Sequence, residues 1–327
     1  MLTSPHNHTV SYLRISVTDR CNERCLYCMP DETQEWLPRD GILSYEEVLR
    51  VARIATGLGI TKYRITGGEP LTRRDILHFV AELARIPGVN DIGMTTNGTL
   101  LKDQALALKR AGLKTINISL DSLDALTYAQ ITGRDMLPDV LRGIDAACAA
   151  GFDNIKLNMV VIRNRNDHEI LDMIAFARSK KLILKLIELM PVSTRDVLTD
   201  ENFIPVGEMM KRIKEQFALE PLGEHLGNGP AIYYSDESRS VKIGFIGAMT
   251  NLHFCDSCNK MRLTAEGKLR PCLGNHEEYD LRELLRTPGV SDDLIAKTFM
   301  DVVARKPQEH TFRDNYQPGR RMIAIGG

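Results

Sequence analysis

After a polar start, Met1–Thr9, the chain settles into a repeating pattern. Short apolar runs with period-two alternation are separated by longer segments whose apolar residues recur every three to four positions. The first kind of run predicts strands and the second amphipathic helices. Strands are predicted at Leu13–Thr18, Lys62–Thr66, Asp91–Thr95, Thr115–Ser119, Asn154–Val161 and Ile183–Leu189, and helices at Tyr45–Leu58, Asp75–Arg85, Lys102–Ala111, Leu137–Ala150 and Asp167–Lys180. Ser44 followed by Glu47 reads as a capping box opening the first helix. Gly59, Gly112 and Gly151 stand where helices should stop. Strands alternating with helices imply a parallel sheet with right-handed crossovers. The expected class is α/β, a partial (βα)6 TIM-type barrel.

The rhythm breaks after Pro191. An amphipathic stretch, Val206–Phe217, leads to a Gly- and Pro-rich run at 221–230, then to two short strand candidates, Ala231–Ser235 and Val241–Ile246. The reading is an N-terminal tail (1–10), a barrel core (11–191) and a smaller C-terminal extension (192–327).

Composition narrows the function classes. The chain has 327 residues, 43% of them hydrophobic and 26% charged, which suits an ordinary globular protein. A formal net charge of −1 argues against bulk electrostatic attraction to nucleic acid or to a membrane surface. No apolar run reaches the length of a membrane span and no secretory leader is evident, so a cytoplasmic location is expected. Seven cysteines in such a chain read better as metal ligands than as disulfides.

Six of the seven fall into two groups. Cys21, Cys25 and Cys28 form C-x3-C-x2-C directly after the first strand, and Cys255, Cys258 and Cys272 form C-x2-C-x13-C in the extension. Each triplet is one ligand short of a closed tetrahedral zinc site. In a cubane [4Fe–4S] cluster, three thiolates leave one iron open to a substrate or cofactor. Taken alone, the second group could also be three-quarters of a zinc ribbon completed by His253 or His276. Cys148, within Ala-Ala-Cys-Ala-Ala, reads as a small buried hydrophobe.

The cysteine loop with Tyr27 before its third thiol, and Gly67-Gly68-Glu69-Pro70 one strand–helix unit later, resemble the radical S-adenosylmethionine (SAM) superfamily. The run Phe254–Leu273 and the terminal Gly326-Gly327 narrow the likeness to the GTP 3′,8-cyclase (MoaA) family of molybdenum cofactor biosynthesis. That resemblance covers residue 10 to the C-terminus. It implies a lyase with two [4Fe–4S] clusters, the first cleaving SAM and the second binding the guanine of GTP, whose C3′ is joined to C8. It implies SAM contacts at Tyr27, Gly68, Ser119 and Met190. GTP contacts are implied at Arg14, Arg64, Thr95, Lys156, Lys260, Met261 and Arg262, with Gly326 and Gly327 as an assisting tail. Lys260 departs from the family's usual arginine, keeping the charge and losing a planar fork. Arg73 and Arg74 read as a solvated helix start. The implied partners are GTP, SAM, an electron donor, the downstream cyclic pyranopterin monophosphate synthase (MoaC), and a second copy in a homodimer. A peptide-modifying radical SAM enzyme with an auxiliary cluster, and a zinc-binding interaction module, are the alternatives.

Overall fold

The computed structural model describes residues 1–29, 36–192, 198–224, 226–227, 229–314 and 316–326. Six parallel strands form its centre: β1 (Tyr12–Ser16), β2 (Lys62–Thr66), β3 (Asp91–Thr96), β4 (Thr115–Ser119), β5 (Ile155–Val161) and β6 (Ile183–Glu188). The intervening helices are α1 (Tyr45–Gly57), α2 (Ile76–Ala84), α3 (Ala105–Arg110), α4 (Ala125–Thr132), α5 (Leu137–Ala149) and α6 (Ile170–Ser179). The capping box at Ser44 and Glu47 is formed. Helix α4 was not expected from the sequence; only eight residues long, it carries little amphipathic contrast and is held by the Asp124 carboxylate, which accepts the Thr127 N–H.

The extension does not stand apart from this sheet. Helix α7 (Val206–Lys214) leads to the antiparallel pair β7 (Ile232–Ser235) and β8 (Lys242–Ile246), and β8 lies parallel to β6 at one edge. At the other edge β9 (Lys260–Leu263) lies parallel to β1, with β10 (Lys268–Arg270) antiparallel outside it. Eight parallel strands therefore run in the order β9-β1-β2-β3-β4-β5-β6-β8. Helices α8 (Leu281–Arg286) and α9 (Asp292–Ala304) follow, and α9 packs on α1. Residues 1–10, read from the sequence as a tail, form a short antiparallel ladder that buries Leu2 and Val10.

Strand alternation decides what the sheet encloses. Leu13, Ile15, Tyr63, Ile65, Ile92, Met94, Ile116, Ile118, Leu157, Met159, Leu184, Leu186, Met261 and Leu263 point to the helical layer and form the main core. Their neighbours, among them Tyr12, Arg14, Arg64, Thr95, Asn117, Lys156, Asn158, Lys185, Lys260 and Arg262, line one cavity of about 290 Å³. Side chains from strands at both edges meet in that space, so the sheet curls into an open barrel; laid flat at about 4.8 Å per strand it would hold them tens of ångströms apart. Among the described residues, no helix is long and apolar enough to cross a membrane.

Candidate active site

The two cysteine groups lie at opposite mouths of the barrel. Cys21, Cys25 and Cys28 follow the C-terminal end of β1. Cys258 precedes β9, and since Lys260 pairs with Tyr12, it sits beyond the N-terminal end of β1. Cys272 arrives at that same end because β10 runs back against β9. The strands between the mouths are roughly 15 Å long. All seven cysteines are unpaired thiols. Among the described residues, no three His, Cys, Asp or Glu side chains gather closely enough to hold a single ion. Of the two histidines read as a fourth zinc ligand, His253 pairs with Asp256 and His276 stacks on Tyr316. A cubane several ångströms across takes three thiolates spread around it, and within each triad the thiols lie close enough to act on one another electrostatically, which fits such a group.

The first mouth is acidic. Glu23, Glu69 and Asp121 are buried there. Asp121 accepts the Tyr27 hydroxyl at 2.6 Å and the Val160 N–H at 2.8 Å, yet burial outweighs both bonds and pushes its carboxyl up to about 6. Glu69 accepts from Thr96 Oγ1, the Asn97 N–H and the Leu71 N–H, and burial still pushes it up to about 7. Glu23, held by the Tyr128 hydroxyl, is pushed to about 7 by burial. Burial likewise raises Cys28 to about 12 and holds Cys21 and Cys25 well above the usual thiol range.

Gly68, expected from the resemblance to contact SAM, is packed here against the backbone of the cysteine loop. A Cβ on Gly68 would lie 2.0 Å from the Arg20 carbonyl oxygen, and one on Gly67 2.8 Å from that of Thr18. The Gly68 and Glu69 N–H groups donate to those same two carbonyls at 2.8 Å each, the Gly68 N–H to Thr18 and the Glu69 N–H to Arg20. The glycine pair thus lets the backbone of the second βα turn lie directly against the cysteine loop.

The barrel floor is basic. Arg14, Arg64, Lys156, Lys185, Lys260 and Arg262 line the cavity, and among the described residues no carboxylate joins them in its walls. Burial, reinforced by neighbouring cations, pushes Lys156 down to about 8, Arg262 down to about 9 and Lys185 well below the usual lysine range. Arg64 is anchored: its guanidinium donates to the Tyr12 hydroxyl at 2.9 Å and the Met94 carbonyl at 3.0 Å, over Gly93, where a Cβ would meet it at 2.5 Å. Thr95 Oγ1, Asn117 Oδ1 and Asn158 Oδ1 are buried on the inner face without a hydrogen-bond partner, as befits a polar ligand site.

Of the expected ligand residues, Tyr27, Ser119, Met190, Arg14, Arg64, Thr95, Lys156, Lys260 and Arg262 come together on this cavity. Gly68 does not line it. Met261 points the other way, fully buried in the helical layer beside Leu13, because alternation sends it opposite to Lys260 and Arg262. Arg73 is no solvated helix start: it donates to the Val17 and Leu43 carbonyls and stacks on Tyr45 at 4.0 Å, whereas Arg74 is exposed. The Gly326 carbonyl accepts from Arg262, and Gly326 itself packs against Ser16 and Thr66 at the C-terminal ends of β1 and β2, so the tail lies at the mouth that carries the first triad. Gly327 lies outside the described residues. Sequence reasoning missed Lys185, Asn117 and Tyr12; the available signal was a polar residue at every second position of strands otherwise apolar.

Comparison with known proteins agrees with this layout. The profile of the Radical SAM superfamily matches residues 15–177, and that of Molybdenum Cofactor Synthesis C matches residues 182–312. A GTP 3′,8-cyclase from Moorella thermoacetica is 44% identical over 318 residues, 97% of this chain and 98% of its own length. One from Thermodesulfovibrio yellowstonii is 45% identical over 325 residues, 98% of each. The chain belongs to the GTP 3′,8-cyclase family. Among solved structures, Streptococcus suis SuiB bound to its precursor peptide SuiA superposes with a TM-score of 0.62 at 14% identity, covering 98% of this chain and 77% of that one. SuiB bound to S-adenosylmethionine gives 0.58 at 15%, covering 89% and 69%. At such identity the likeness is one of fold, and the peptide-modifying alternative rests on nothing more. Membership in the radical SAM superfamily brings a [4Fe–4S] cluster and SAM with it.

Proposed function

We propose that the chain carries out the cyclisation for which its family is named, joining C3′ of GTP to C8, with SAM bound at the acidic mouth and GTP across the basic floor. The observation that carries the reading is the contrast in charge between the two ends of the barrel, carboxylates packed around the cysteine loop at one and cations lining the cavity toward the other. SAM is a sulfonium cation and would lie toward the end where Glu23, Glu69 and Asp121 are buried behind the cysteine loop; a triphosphate would meet the six cations that line the floor. Cys21, Cys25 and Cys28 would hold the first [4Fe–4S] cluster, and Cys255, Cys258 and Cys272 would hold a second, which with three thiolates would keep one iron available to the purine. When bound, the first cluster and SAM supply the carbon-centred radical that starts the reaction on the ribose.

The chain's own groups do the rest. Tyr27, fixed by Asp121, and the walls at Ser119 and Met190 position SAM beside the first triad. Arg14, Lys156, Lys185, Lys260 and Arg262 hold the triphosphate, and Thr95 and Asn117 offer unspent polar atoms to the sugar or base. The tail, anchored by Arg262 through Gly326, closes the cavity wall and keeps water from the reacting carbon. The product passes to a downstream pyranopterin synthase, and the seven unpaired thiols suit a reducing cytoplasm.

Anaerobic incubation with SAM, dithionite and GTP, followed by mass analysis, tests the reading. The expected products are 5′-deoxyadenosine and a cyclised nucleotide isomeric with GTP. Deoxyadenosine alone, with GTP recovered unchanged, would overturn it.

A further inference from the structure

Lys306 follows α9, its N–H bonded to the Val303 carbonyl at 3.1 Å. In the sequence Arg305-Lys306-Pro307 looks like a solvated helix end, and Arg305 is indeed exposed. Lys306 is not: only 2% of it is accessible, and among the described residues no carboxylate pairs with it. Its ammonium donates to the Lys260 carbonyl at 2.9 Å and to the Pro271 carbonyl at 2.7 Å. Lys260 lies two residues after Cys258, and Pro271 immediately before Cys272. An ammonium has three protons. Two are spent on carbonyls, and the charge lies close enough to favour the thiolate of Cys258 and, less strongly, those of Cys255 and Cys272.

A buried, unpaired ammonium is costly unless something nearby is negative. Two carbonyl bonds satisfy its donors without neutralising its charge. A cluster ligated by three thiolates supplies that negative charge.

We infer that Lys306 is a positioning residue for the second cluster: it staples the two strand ends that carry Cys258 and Cys272, and its charge raises the reduction potential of whatever cluster they hold. The inference rests on the two-cluster reading above. Hydrogen bonds and positive charge at a thiolate sulfur favour the reduced, more negative cluster, and such outer partners commonly tune a metal site.

The test uses full-length protein carrying Cys21→Ala, Cys25→Ala and Cys28→Ala, so that only the second cluster contributes to the spectrum. After anaerobic reconstitution without SAM or GTP, the midpoint potential is read by EPR-monitored titration, with Lys306→Met and Lys306→Arg compared to this parent. Lys306→Met should lower the reduced-to-oxidised ratio at fixed potential at least tenfold, about 59 mV for a one-electron couple, and should speed loss of iron to a chelator. Lys306→Arg, which keeps the charge, should stay near the parent. An unchanged potential in a cluster-bearing Lys306→Met protein overturns the inference, as does a Lys306→Arg protein displaced as far as Lys306→Met. If Lys306→Met holds no cluster while Lys306→Arg holds one at the parental potential, the staple stands; if neither holds one, the charge is not what matters and the inference falls. A parent without any cluster would instead sink the two-cluster reading itself.

Discussion

The two thiol triads share a chemistry and differ in everything around it. Cys21, Cys25 and Cys28 sit among Glu23, Glu69 and Asp121, and their thiols are raised by burial and then by those carboxylates and one another. Cys255, Cys258 and Cys272 sit beside Lys306, Lys260 and Arg262, and there Cys258 is lowered despite its burial, chiefly by Lys306 and Lys260. Identical ligands in opposite fields hold an electron with different ease, the cationic side favouring the reduced form. Under the proposed function the same contrast would sort the two small molecules by charge, a cation toward the acids and a polyanion toward the bases. A single barrel would thereby keep two reactive partners in register without exchanging their places.

The sharpest way to break the comparison is to delete one triad at a time. Cys21→Ala, Cys25→Ala or Cys28→Ala should abolish formation of 5′-deoxyadenosine altogether. Cys272→Ala should leave SAM cleavage in place and eliminate the cyclised nucleotide. Chromatography of both products from the same reactions checks this; cyclisation at the normal rate in Cys272→Ala would show that the second triad is not the GTP end.

Removing cations from the floor should have a smaller effect, confined to GTP. Arg262→Ala and Lys260→Ala should each weaken GTP use by roughly tenfold to a hundredfold, the worth of about one charge-assisted hydrogen bond. Arg262→Ala should be the more damaging, since Arg262 also anchors the Gly326 carbonyl. Lys260→Arg should be nearly neutral. Product formation at varied GTP, alongside uncoupled SAM cleavage, separates the two ends: a SAM defect in Lys260→Ala would mean the charge contrast does not sort the substrates.

The mildest test is pH. Lys156 titrates near 8 in the free protein, so it is charged below that pH and neutral above it. GTP binding should therefore weaken as pH rises through about 8, because the phosphates lose one counter-charge. Asp121 titrates near 6, so SAM binding should strengthen as pH rises through that value and the carboxylate forms. The linked stability of the free protein has the opposite sense to GTP binding: with its folded value below the ordinary lysine value, Lys156 favours unfolding while protonated, and that penalty fades between about pH 8 and 10.5. Calorimetric titration of each ligand at several pH values would read the opposing slopes; parallel slopes would refute them.

Much of this was legible along the chain. Local spacing specifies both cysteine groups, the six strands of the core and the capped first helix, because each depends on neighbours a few residues away. Arg14, Arg64 and Lys156 stood out for the same reason, as cations at alternate positions in apolar runs. The extension was harder to read: β9 hides inside the spacing between Cys258 and Cys272, and its partner β1 lies some 250 residues earlier.

From the sequence alone come the ligand types, their grouping and the alternation that makes one face of each strand polar. The structure decides what that alternation encloses: with β8 and β9 added at its edges, the sheet curls so that the polar faces share one cavity, while Met261, one residue from two cavity cations, is sent into the core. It also decides that Gly68 serves the cysteine loop's backbone, and that Lys306 is buried against the second triad while Arg305 remains in water. Burial and charge environment belong to the assembled neighbourhood of a side chain, and groups from distant parts of the chain become neighbours only once the sheet has closed around them.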